Sequence, residues 1–484
     1  MKNLYFTGKK YKIIFCFLIG LLFILNFETL FAREVSLEEA VQWGVLNNLD
    51  LQNLRYNIED IQRNLEILEA GKSFQVDLSI TPIWRFGGKD NSYLIEMEEG
   101  RFAPDTKLSL STKKILTSDL NLSSEVTWQS ENLAEHSMDT LAEETKASIR
   151  LDQRLYPKTW TEQERQVYSL ENSIKMKLEE LRWKEIEKQI EFIEKYLALI
   201  RLQEQLDITF DRVKLAEEEL ERVKAQIELG EGGYQQESEA IIALEESKNK
   251  QWSISQELSQ TRKQWLLLLS LPDEVTVKFD SDTVLIETLF TQMENLPISN
   301  QIHDILIAQV LEENYQVQNS MLEKDELLKE LQWAKDAGKP EVNLSGGYAY
   351  PENDWFVMLD FKVNLADGGV QKLKIKQKEE NMKRKEISTI YLMEMIKLEA
   401  QQLLDKDEYN QLVLQTSLMS LEKEQEKVKV IEQQYQKGAI SIVQRESNLL
   451  SLKEKELSLK QIYDQWFINR LKLAHFIGFL PKGV

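Results

Sequence analysis

Residues 355–369 read WFVMLDFKVNLADGG, and they predict a strand that leads into a helix. Apolar and polar side chains alternate from Trp355 to Leu365, which is the period of two expected for a strand with two unlike faces. The group Asp367, Gly368 and Gly369 then ends the alternation. Residues 370–480 contain no proline, so a long helix can follow. We interpret the Asp-Gly-Gly group as a strand-to-helix junction.

The same alternation recurs elsewhere in the chain. The hairpin partner of this strand has one apolar face, formed by Val342, Leu344, Tyr348 and Tyr350. A first-half strand has one too, formed by Phe74, Val76, Leu78, Ile80, Trp84 and Phe86. Further short strands are expected at 108–110, 120–128 and 149–151. We therefore predict strands within about 74–156 and about 341–365.

Strands of this length and pattern suit a transmembrane β-barrel, with apolar side chains toward lipid and polar ones toward a watery lumen. The alternative is a soluble antiparallel sheet that packs on one face. In a barrel, five aromatic residues would lie at the membrane interfaces: Trp84, Trp128, Tyr348, Tyr350 and Trp355. The strands predicted in one chain are too few to close a barrel. A barrel therefore requires several chains.

Long helices are predicted in the two proline-free ranges, 158–271 and 352–480, which are rich in Glu, Lys, Leu and Gln. Each range holds a helix of about 70 residues, a glycine break and a shorter helix. The predicted helices are 160–229 and 235–271 in the first range, and 367–436 and 441–477 in the second. A shorter opening helix precedes the strands of each half, at roughly 36–72 and 299–335.

The second half of the chain repeats the first. The opening helices are offset by 266 residues, as Asn48 and Asn314 show, whereas the glycine breaks at Gly230 and Gly438 are offset by 208. The difference of 58 residues is extra material between the opening and long helices of the first half. We predict a first structural repeat at 33–272, a linker at 273–298 and a second structural repeat at 299–484.

The N-terminus has the pattern of a secretory signal peptide. Four lysines precede a 13-residue apolar run from Ile13 to Leu25, which is too short to span a bilayer as a helix. We predict a signal peptide at 1–32, cleaved after Ala32. Its removal takes away four Lys and one Glu, so 56 bases and 80 acids remain and the net charge becomes −24.

Composition excludes several classes of function. The full chain has a net charge of −21, and a nucleic-acid partner would require a basic face. The one cysteine, Cys16, lies in the predicted signal peptide, and His136, His303 and His475 are far apart in sequence. We therefore expect no catalytic, cofactor-binding or metal site, and no enzyme activity.

The layout resembles the TolC family of outer-membrane efflux proteins over essentially the whole mature chain. The opening text from Val35 to Ala40 is similar to the family's first helix. The text from Asn364 to Gly369 resembles its strand-to-helix junction, and the text from Tyr435 to Ser441 resembles its helical-hairpin turn.

The resemblance implies a fold that is mainly helical with a β-barrel part. A homotrimer would combine its duplicated long helical hairpins into an α-barrel tunnel and its strands into a transmembrane β-barrel in outer-membrane lipid. A periplasmic adaptor protein would dock at the hairpin tips, and an inner-membrane pump would supply energy, in a tripartite efflux pump or a type I secretion system. The tip residues are Gly230, Gly232, Gly233, Gly438, Ala439, Ile440 and Ser441.

The chain departs from the family pattern at three points. The aspartates that often ring the family's closed aperture are replaced by Gln444 and Ser447, so Arg445 and Glu446 become candidate aperture residues, although solvated surface charges are the commoner reading. The first-half turn lacks the text of the second, and residues 155–158 stand where Asp-Gly-Gly is expected. The extra first-half strands are compatible with two barrels: one of twelve strands with a long outer loop, or one of eighteen strands.

An exported coiled-coil scaffold or adhesin-like structural protein is the alternative, because long helices fit it equally well. It does not explain alternating strands at equivalent points of both halves. In a duct, the charge of −24 would concentrate cations in the confined lumen and favour their passage.

Overall fold

The computed structural model describes residues 36–83, 105–117, 119–130, 145–271, 284–296 and 303–479. The predicted signal peptide and Trp84 lie outside these ranges. The chain divides into two compact units. One contains Met1–Arg55, Glu179–Gln318 and Tyr391–Val484, and the other contains Tyr56–Leu178 and Asn319–Ile390. Each unit therefore combines segments from both halves of the sequence.

The helices of the described ranges fall into two similar series. The first-half helices are α1 (Leu37–Asn47), α2 (Leu49–Ala70), α3 (Glu162–Glu228) and α4 (Tyr234–Leu268). The second-half helices are α6 (His303–Glu313), α7 (Tyr315–Asp336), α8 (Val370–Gln436) and α9 (Ile442–Phe476). Between the two series, α5 (Val284–Glu294) lies in the segment predicted to be a linker. Among the described residues, no helix is both long enough and apolar enough to cross a membrane.

The two series match helix by helix in length. Helices α1 and α6 have 11 residues and α2 and α7 have 22. The long helices α3 and α8 have 67 residues, about 100 Å at 1.5 Å per residue, and α4 and α9 have 35. The segment between α2 and α3 has 91 residues and that between α7 and α8 has 33, a difference of 58. The halves thus differ in the segments that carry the strands.

The strands form one antiparallel sheet. They are β1 (Gln75–Ile83), β2 (Asp105–Thr117), β3 (Leu120–Ser130), β4 (Thr145–Tyr156), β5 (Glu341–Tyr350) and β6 (Asp354–Lys362). Each strand pairs with the next, in the order β1-β2-β3-β4-β5-β6, so the first half supplies four strands and the second two. The last strand ends at Lys362, three residues before the Leu365 expected from the alternation.

Each opening segment contains two helices rather than the single helix expected from its periodicity. Asn48 separates α1 from α2, and Asn314 separates α6 from α7. Both asparagines are buried. The Oδ1 atom of Asn48 accepts a hydrogen bond from the backbone N–H of Asp50 at 3.1 Å, and that of Asn314 accepts one from Gln316 at 2.9 Å. The short side chain thus satisfies a free donor at the start of the second helix.

Asn48 also joins the first opening segment to the end of α4. Its Nδ2 atom donates a hydrogen bond to the carbonyl oxygen of Leu268, in the last turn of α4, at 2.8 Å. The side chain of Trp265 lies in the core beside this joint and donates through Nε1 to the carbonyl oxygen of Phe192 on α3 at 2.9 Å. The shorter helices α2 and α4 therefore meet end to end against the long helix α3.

A second apolar cluster occupies the corresponding place in the second half. Val310 of α6 and Val317 of α7 are fully buried there. They pack with Ile396 and neighbouring residues of α8 and with Leu473 and neighbouring residues of α9. The repeat in sequence is therefore also a repeat in how short helices pack on a long one.

Helix α5 is held to the second-half helices by a buried cation. The Arg470 side chain is 8% exposed and forms an ion pair with Asp407, which is 2% exposed, at 2.9 Å. Its Nη1 atom donates to the carbonyl oxygen of Met293, at the end of α5, at 2.6 Å. The guanidinium also lies 4.7 Å from the ring centroid of Trp466. One side chain of α9 thus links α5, α8 and α9.

We predict that replacing Asp407 by Asn destabilises the protein by about 3 kcal/mol, because it leaves the buried Arg470 charge without its partner. Thermal unfolding of the purified protein in detergent measures the effect. Lys472→Ala is the matched control on the same helix. Its ion pair with Glu194 is exposed (44% and 45%), so the expected loss is below about 1 kcal/mol. Equal losses in the two variants would contradict the role assigned to Arg470.

Candidate functional site: the two-faced sheet and the hairpin turns

The sheet has one apolar face and one polar face, and the strand register carries both across all six strands. One row of the apolar face contains Leu78 of β1, Leu110 of β2, Val126 of β3 and Tyr350 of β5. The neighbouring row of the polar face contains Ser79, Ser109 and Thr127. The apolar side chains of both edge strands are exposed, up to 83% for Trp355. In the compact unit that contains the sheet, none of the described residues covers the apolar face.

Charges on the polar face of the described strands nearly balance. The cationic residues are Lys107, Lys113, Lys146, Arg150, Arg154 and Lys362. The anionic residues are Asp77, Glu125, Asp152, Glu341, Asp354 and Asp360, and Asp105 occupies a further position of this face in the register. Some are paired within the face. For example, Arg150 Nε lies 2.7 Å from Asp152 Oδ1, and its Nη2 atom donates to Ser345 Oγ at 3.1 Å. The excess negative charge of the chain therefore lies elsewhere.

Four of the five aromatic residues predicted at membrane interfaces lie at one end of the sheet. Trp128 is in β3 and Tyr350 in β5, near the ends at which those strands leave the sheet. Tyr348 pairs with Trp355, and their ring centroids are 5.1 Å apart. The fifth, Trp84, lies outside the described residues.

A second aromatic group, which was not predicted from the sequence, lies beyond the opposite end of the sheet. Trp160 follows β4, and its ring centroid is 5.3 Å from that of Tyr168 and 5.5 Å from that of Trp333. Lys329 Nζ lies 3.6 Å from the Tyr168 ring centroid. These residues come from α3, α7 and the segment before α3, so their separation in sequence hid the group.

The junction residues predicted before the second long helix cap it. Gly368 and Gly369 have φ values of +63° and +84°, which favour glycine. The Asp367 carboxylate accepts hydrogen bonds from the backbone N–H groups of Gln371 at 2.7 Å and Gly369 at 2.8 Å. These bonds hold the pKa of Asp367 below its ordinary value. The carboxylate also lies at the positive end of the α8 dipole.

The first long helix, α3, is also capped at its start, but by different residues. Thr161 precedes α3, and its Oγ1 atom accepts a hydrogen bond from the backbone N–H of Glu164 at 3.2 Å. The Glu164 carboxylate accepts one in return from the backbone N–H of Thr161 at 2.8 Å. This is a capping box. It explains why residues 155–158 can differ from Asp-Gly-Gly without loss of the helix start.

The two hairpin turns have the same backbone geometry despite their different sequences. Gly230 and Gly438 follow α3 and α8 with φ values of +79° and +72°. The next residue, Glu231 or Ala439, donates its backbone N–H to a carbonyl five residues back, at 2.9 Å in both turns. This hydrogen-bond pattern ends a helix with a left-handed residue, usually glycine.

The other predicted tip residues complete these turns. Gly232 and Gly233 correspond in position to Ile440 and Ser441. The Ser441 hydroxyl accepts a hydrogen bond from the backbone N–H of Gln444 at 3.2 Å and so caps α9. Gly233 has no side chain, and its backbone N–H donates to Gln236 Oε1 at 3.2 Å.

Each turn is flanked by exposed apolar side chains that the sequence analysis did not single out. Leu229 is 76% exposed and Tyr234 is 84% exposed, on either side of the first turn. Ile442 is exposed beside the second turn. Singly exposed apolar residues are common, but here three of them lie at the two helix reversals.

The candidate aperture residues lie at the start of α9. Arg445 Nε is 2.6 Å from Glu432 Oε2 on α8, and its Nη1 atom is 2.7 Å from Glu446 Oε1. The Arg445 guanidinium also lies 5.2 Å from the ring centroid of Tyr435. Gln444 and Ser447 are exposed on the same turn. The arrangement ties α9 to α8 one turn behind the tip.

A line of ion pairs connects α9 to α3 in an antiparallel arrangement. Lys472 pairs with Glu194 at 2.7 Å, and Arg201 pairs with Asp464 at 2.6 Å. Closer to the turns, Lys453 pairs with Asp211 at 2.7 Å. Apolar residues along this line, among them Ile208, Leu450 and Leu457, are buried. Helices α3 and α9, which belong to different hairpins, therefore form a continuous wall in the compact unit that contains these residues.

Within the described ranges, no group of three or more His, Cys, Asp or Glu side chains is arranged to hold a metal ion. His475 is buried against Trp183, with ring centroids 4.0 Å apart. Burial lowers the pKa of His475 to about 4. A neutral ring in an aromatic cluster has a packing role, so it does not suggest a catalytic base.

Comparisons with known proteins support the fold. No protein-family model matches the chain, and no curated protein sequence matches it either. Among solved structures, the chain is similar to CusC, with 14% identity, 91% of each chain covered and a TM-score of 0.62. It is similar to the outer membrane channel CmeC of Campylobacter jejuni, with 12% identity, 92% and 85% covered and a TM-score of 0.63. It is also similar to the outer membrane channel MtrE of Neisseria gonorrhoeae, with 10% identity, 91% and 88% covered and a TM-score of 0.60.

The fold is therefore that of the TolC-type outer-membrane channels. The mainly helical fold with duplicated long hairpins and a strand part, and the resemblance in fold to these channels, were predicted from the sequence and are confirmed. The TM-scores of 0.60 to 0.63 carry this conclusion, and at identities of 10% to 14% the likeness is one of fold.

We predict that Gly230→Ala and Gly438→Ala each destabilise their turn by about 1 kcal/mol, because an L side chain is strained at positive φ. Amide hydrogen exchange at the two turns measures this. Gly233→Ala is the control in the same tip, because Gly233 has a φ of −121° and nothing lies within 4 Å of an added Cβ. Faster exchange in the control than in the other two variants would contradict the assignment.

The cap of α8 should depend on pH. Since the pKa of Asp367 is lowered in the folded state, its stabilising effect is complete above the unfolded pKa of about 3.9 and is lost as the pH falls through the folded value. Amide exchange in the first turn of α8, corrected for the intrinsic pH dependence, should therefore accelerate below about pH 4. Asp367→Asn should remove this inflection. The first turn of α9 is the control, because Ser441 caps it with a hydroxyl that does not titrate in this range.

Proposed function

We propose that the chain forms a homotrimeric export duct in the outer membrane. It would pass substrates from an inner-membrane pump and a periplasmic adaptor to the exterior, as part of a tripartite efflux pump or a type I secretion system. The observation that carries this proposal is the two-faced sheet, covalently continuous with long helical hairpins in the fold of outer-membrane channels. The predicted signal peptide, residues 1–32, supports export.

The faces of the sheet support a position in a membrane. Val76, Leu78 and Ile80 of β1 and Trp355, Val357 and Phe361 of β6 are exposed in the single chain. Exposure of so much apolar surface in water is unfavourable, at about 25 cal/mol per Å². Lipid would cover this face and leave the hydroxyl and charged side chains of the other face toward an aqueous lumen.

The edges of the sheet support closure by further copies of the chain. Among the described residues, β1 and β6 each pair with one neighbour only. Unpaired backbone groups are costly in lipid, so a membrane sheet closes into a barrel. Both edge strands have 9 residues, and six alternating strands leave β6 antiparallel to the β1 of a following copy. Three copies would close a barrel with an even number of strands.

Exposed apolar residues on the helices support the same partner. Ile242 and Trp252 of α4 are exposed, as are Tyr409, Leu412 and Met419 of α8. These five residues lie in the same compact unit, where the described contacts pair α4 with α3 and α8 with α9. Packing of α4 against the α8 of another copy would cover these residues and complete a ring of hairpins.

The hairpin turns are the proposed docking sites for an adaptor. Gly230, Gly438 and their neighbours form narrow reversals, and Leu229, Tyr234 and Ile442 offer apolar contacts beside them. The Arg445 pair with Glu432 would hold the second hairpin closed near its tip, and adaptor binding would have to compete with it. Cargo would be selected mainly by the pump and the adaptor.

The mass of the purified mature protein in detergent, together with its single-channel conductance in a planar bilayer, tests the proposal. We expect a trimer with a small conductance that prefers cations, because the mature chain carries a net charge of −24. The near balance of charge on the sheet face supports assigning this preference to the helical part.

A water-soluble monomer or dimer without conductance would overturn the duct. The paired helices would then belong to an exported scaffold without a channel. A conducting trimer that prefers anions would retain the duct and contradict only the assignment of cation preference to the helices.

A further inference from the structure

We propose that β2 and β3 form an inserted hairpin that widens the exit barrel from twelve to eighteen strands, enough for cargo as bulky as a helical hairpin. This inference rests on the proposed trimeric duct. It concerns the width and lining of the exit, which neither the fold nor the comparisons assign.

The two halves of the chain differ in their number of strands. Corresponding helices have the same lengths, yet the first half has four strands and the second has two. Without β2 and β3, the strand after α2 and the strand before α3 would form a simple hairpin, as β5 and β6 do between α7 and α8. The inserted element is therefore the middle pair of the first four strands.

The inserted hairpin is integrated into the sheet. Continuous registers join β2 to β1 and β3 to β4, for example Ser79 with Ser109 and Val126 with Ala147. A loop lying outside a barrel would not require a ladder on both sides. Because the hairpin is paired along both edges, removing it from the wall would leave two rows of backbone groups unsatisfied in lipid.

The side chains of the hairpin match both environments of the wall. Leu108, Leu110 and Val126 continue the apolar face, and Thr112 and Ser124 on that face satisfy each other through a hydroxyl hydrogen bond of 2.7 Å. On the polar face, Ser109, Ser111, Ser123 and Thr127 carry hydroxyl groups, and Lys107, Lys113 and Glu125 carry charges. The hairpin thus adds circumference and presents polar side chains to the lumen.

The turn of the hairpin is fastened to the original strands. Arg154 of β4 donates to Asp119 Oδ1 through Nε at 3.1 Å and through Nη2 at 2.9 Å. Its backbone N–H donates to the carbonyl oxygen of Asp119 at 2.8 Å. Since Asp119 lies between β2 and β3, this contact holds the turn against β4.

The expected width follows from strand geometry. Strands about 4.8 Å apart and tilted by about 40° each take about 6 Å of circumference. Twelve strands then give a backbone diameter of about 24 Å and eighteen give about 36 Å. Side chains occupy about 5 Å on each wall, which leaves openings of about 14 Å and about 26 Å. Since a helix with its side chains is 10–12 Å across, only the wider opening admits two helices side by side.

Single cysteines test the assignment cleanly, because the mature chain has no cysteine once residues 1–32 are removed. The variants are Ser109→Cys on the polar face of β2, Leu110→Cys on its apolar face, and Ser79→Cys on β1 directly opposite Ser109. Each purified variant is reconstituted in a planar bilayer and treated with a charged, water-soluble methanethiosulfonate. The unmodified protein is the control for the reagent.

For eighteen strands, we expect the reagent to shift the conductance of Ser109→Cys and Ser79→Cys in the same direction and by similar amounts, and to leave Leu110→Cys unchanged. A neutral polymer of about 20 Å diameter, added on the strand side, should also enter the lumen and lower the conductance.

The wider barrel would be overturned if the reagent reached both β2 cysteines but shifted the conductance of Ser79→Cys alone. The twelve-stranded duct would remain intact in that case. Exclusion of the 20 Å polymer would equally overturn the proposed width. No shift in any variant, Ser79→Cys included, would instead contradict the duct itself.

Discussion

A helix that ends inside a protein must satisfy its free backbone groups, and this constraint governs the packing of the helices. The long helices need partners of comparable length, yet α2 and α4 are each much shorter than α3. Asn48 resolves the conflict, because its side chain accepts from the start of α2 and donates to the carbonyl of Leu268 at the end of α4. The aromatic core around Phe192 and Trp265 then keeps water from the joint. In the second half, Asn314 lies at the corresponding break, and a second apolar cluster surrounds it.

The sheet is governed by a related constraint, since its backbone groups must also be paired and its two faces differ in solvent preference. Because the charges on the polar face nearly balance, the strands need not repel either sign of ion strongly. The acidic surplus of the chain lies outside this face. In a duct built from these parts, the strands would set the width of the exit and remain nearly neutral. The helices would set the preference for one sign of ion.

Some parts of the site could be predicted from local sequence. Asp367 and the two glycines after it predicted the start of a helix. This was possible because the carboxylate cap and the positive φ values are properties of neighbouring residues. Gly438 showed a turn for the same reason. The equivalence of Gly230 was harder to see, because Glu231 and Gly232 differ from Ala439 and Ile440, while backbone hydrogen bonds alone make the two turns alike. The Arg445 pair with Glu432 needed the hairpin geometry, since 13 residues separate the two partners.

The sequence by itself determined the period of each element, the repeat of the helices and the extra 58 residues of the first half. These follow from side-chain alternation and from the positions of glycine and proline, which act over a few residues. Only the tertiary structure decided that the extra residues join one six-stranded sheet, that an asparagine divides each opening segment and that Trp160, Tyr168 and Trp333 meet. Those features depend on partners far apart in the chain. A local pattern states that a strand needs a neighbour or a helix end needs a cap, but packing selects the residue that provides it.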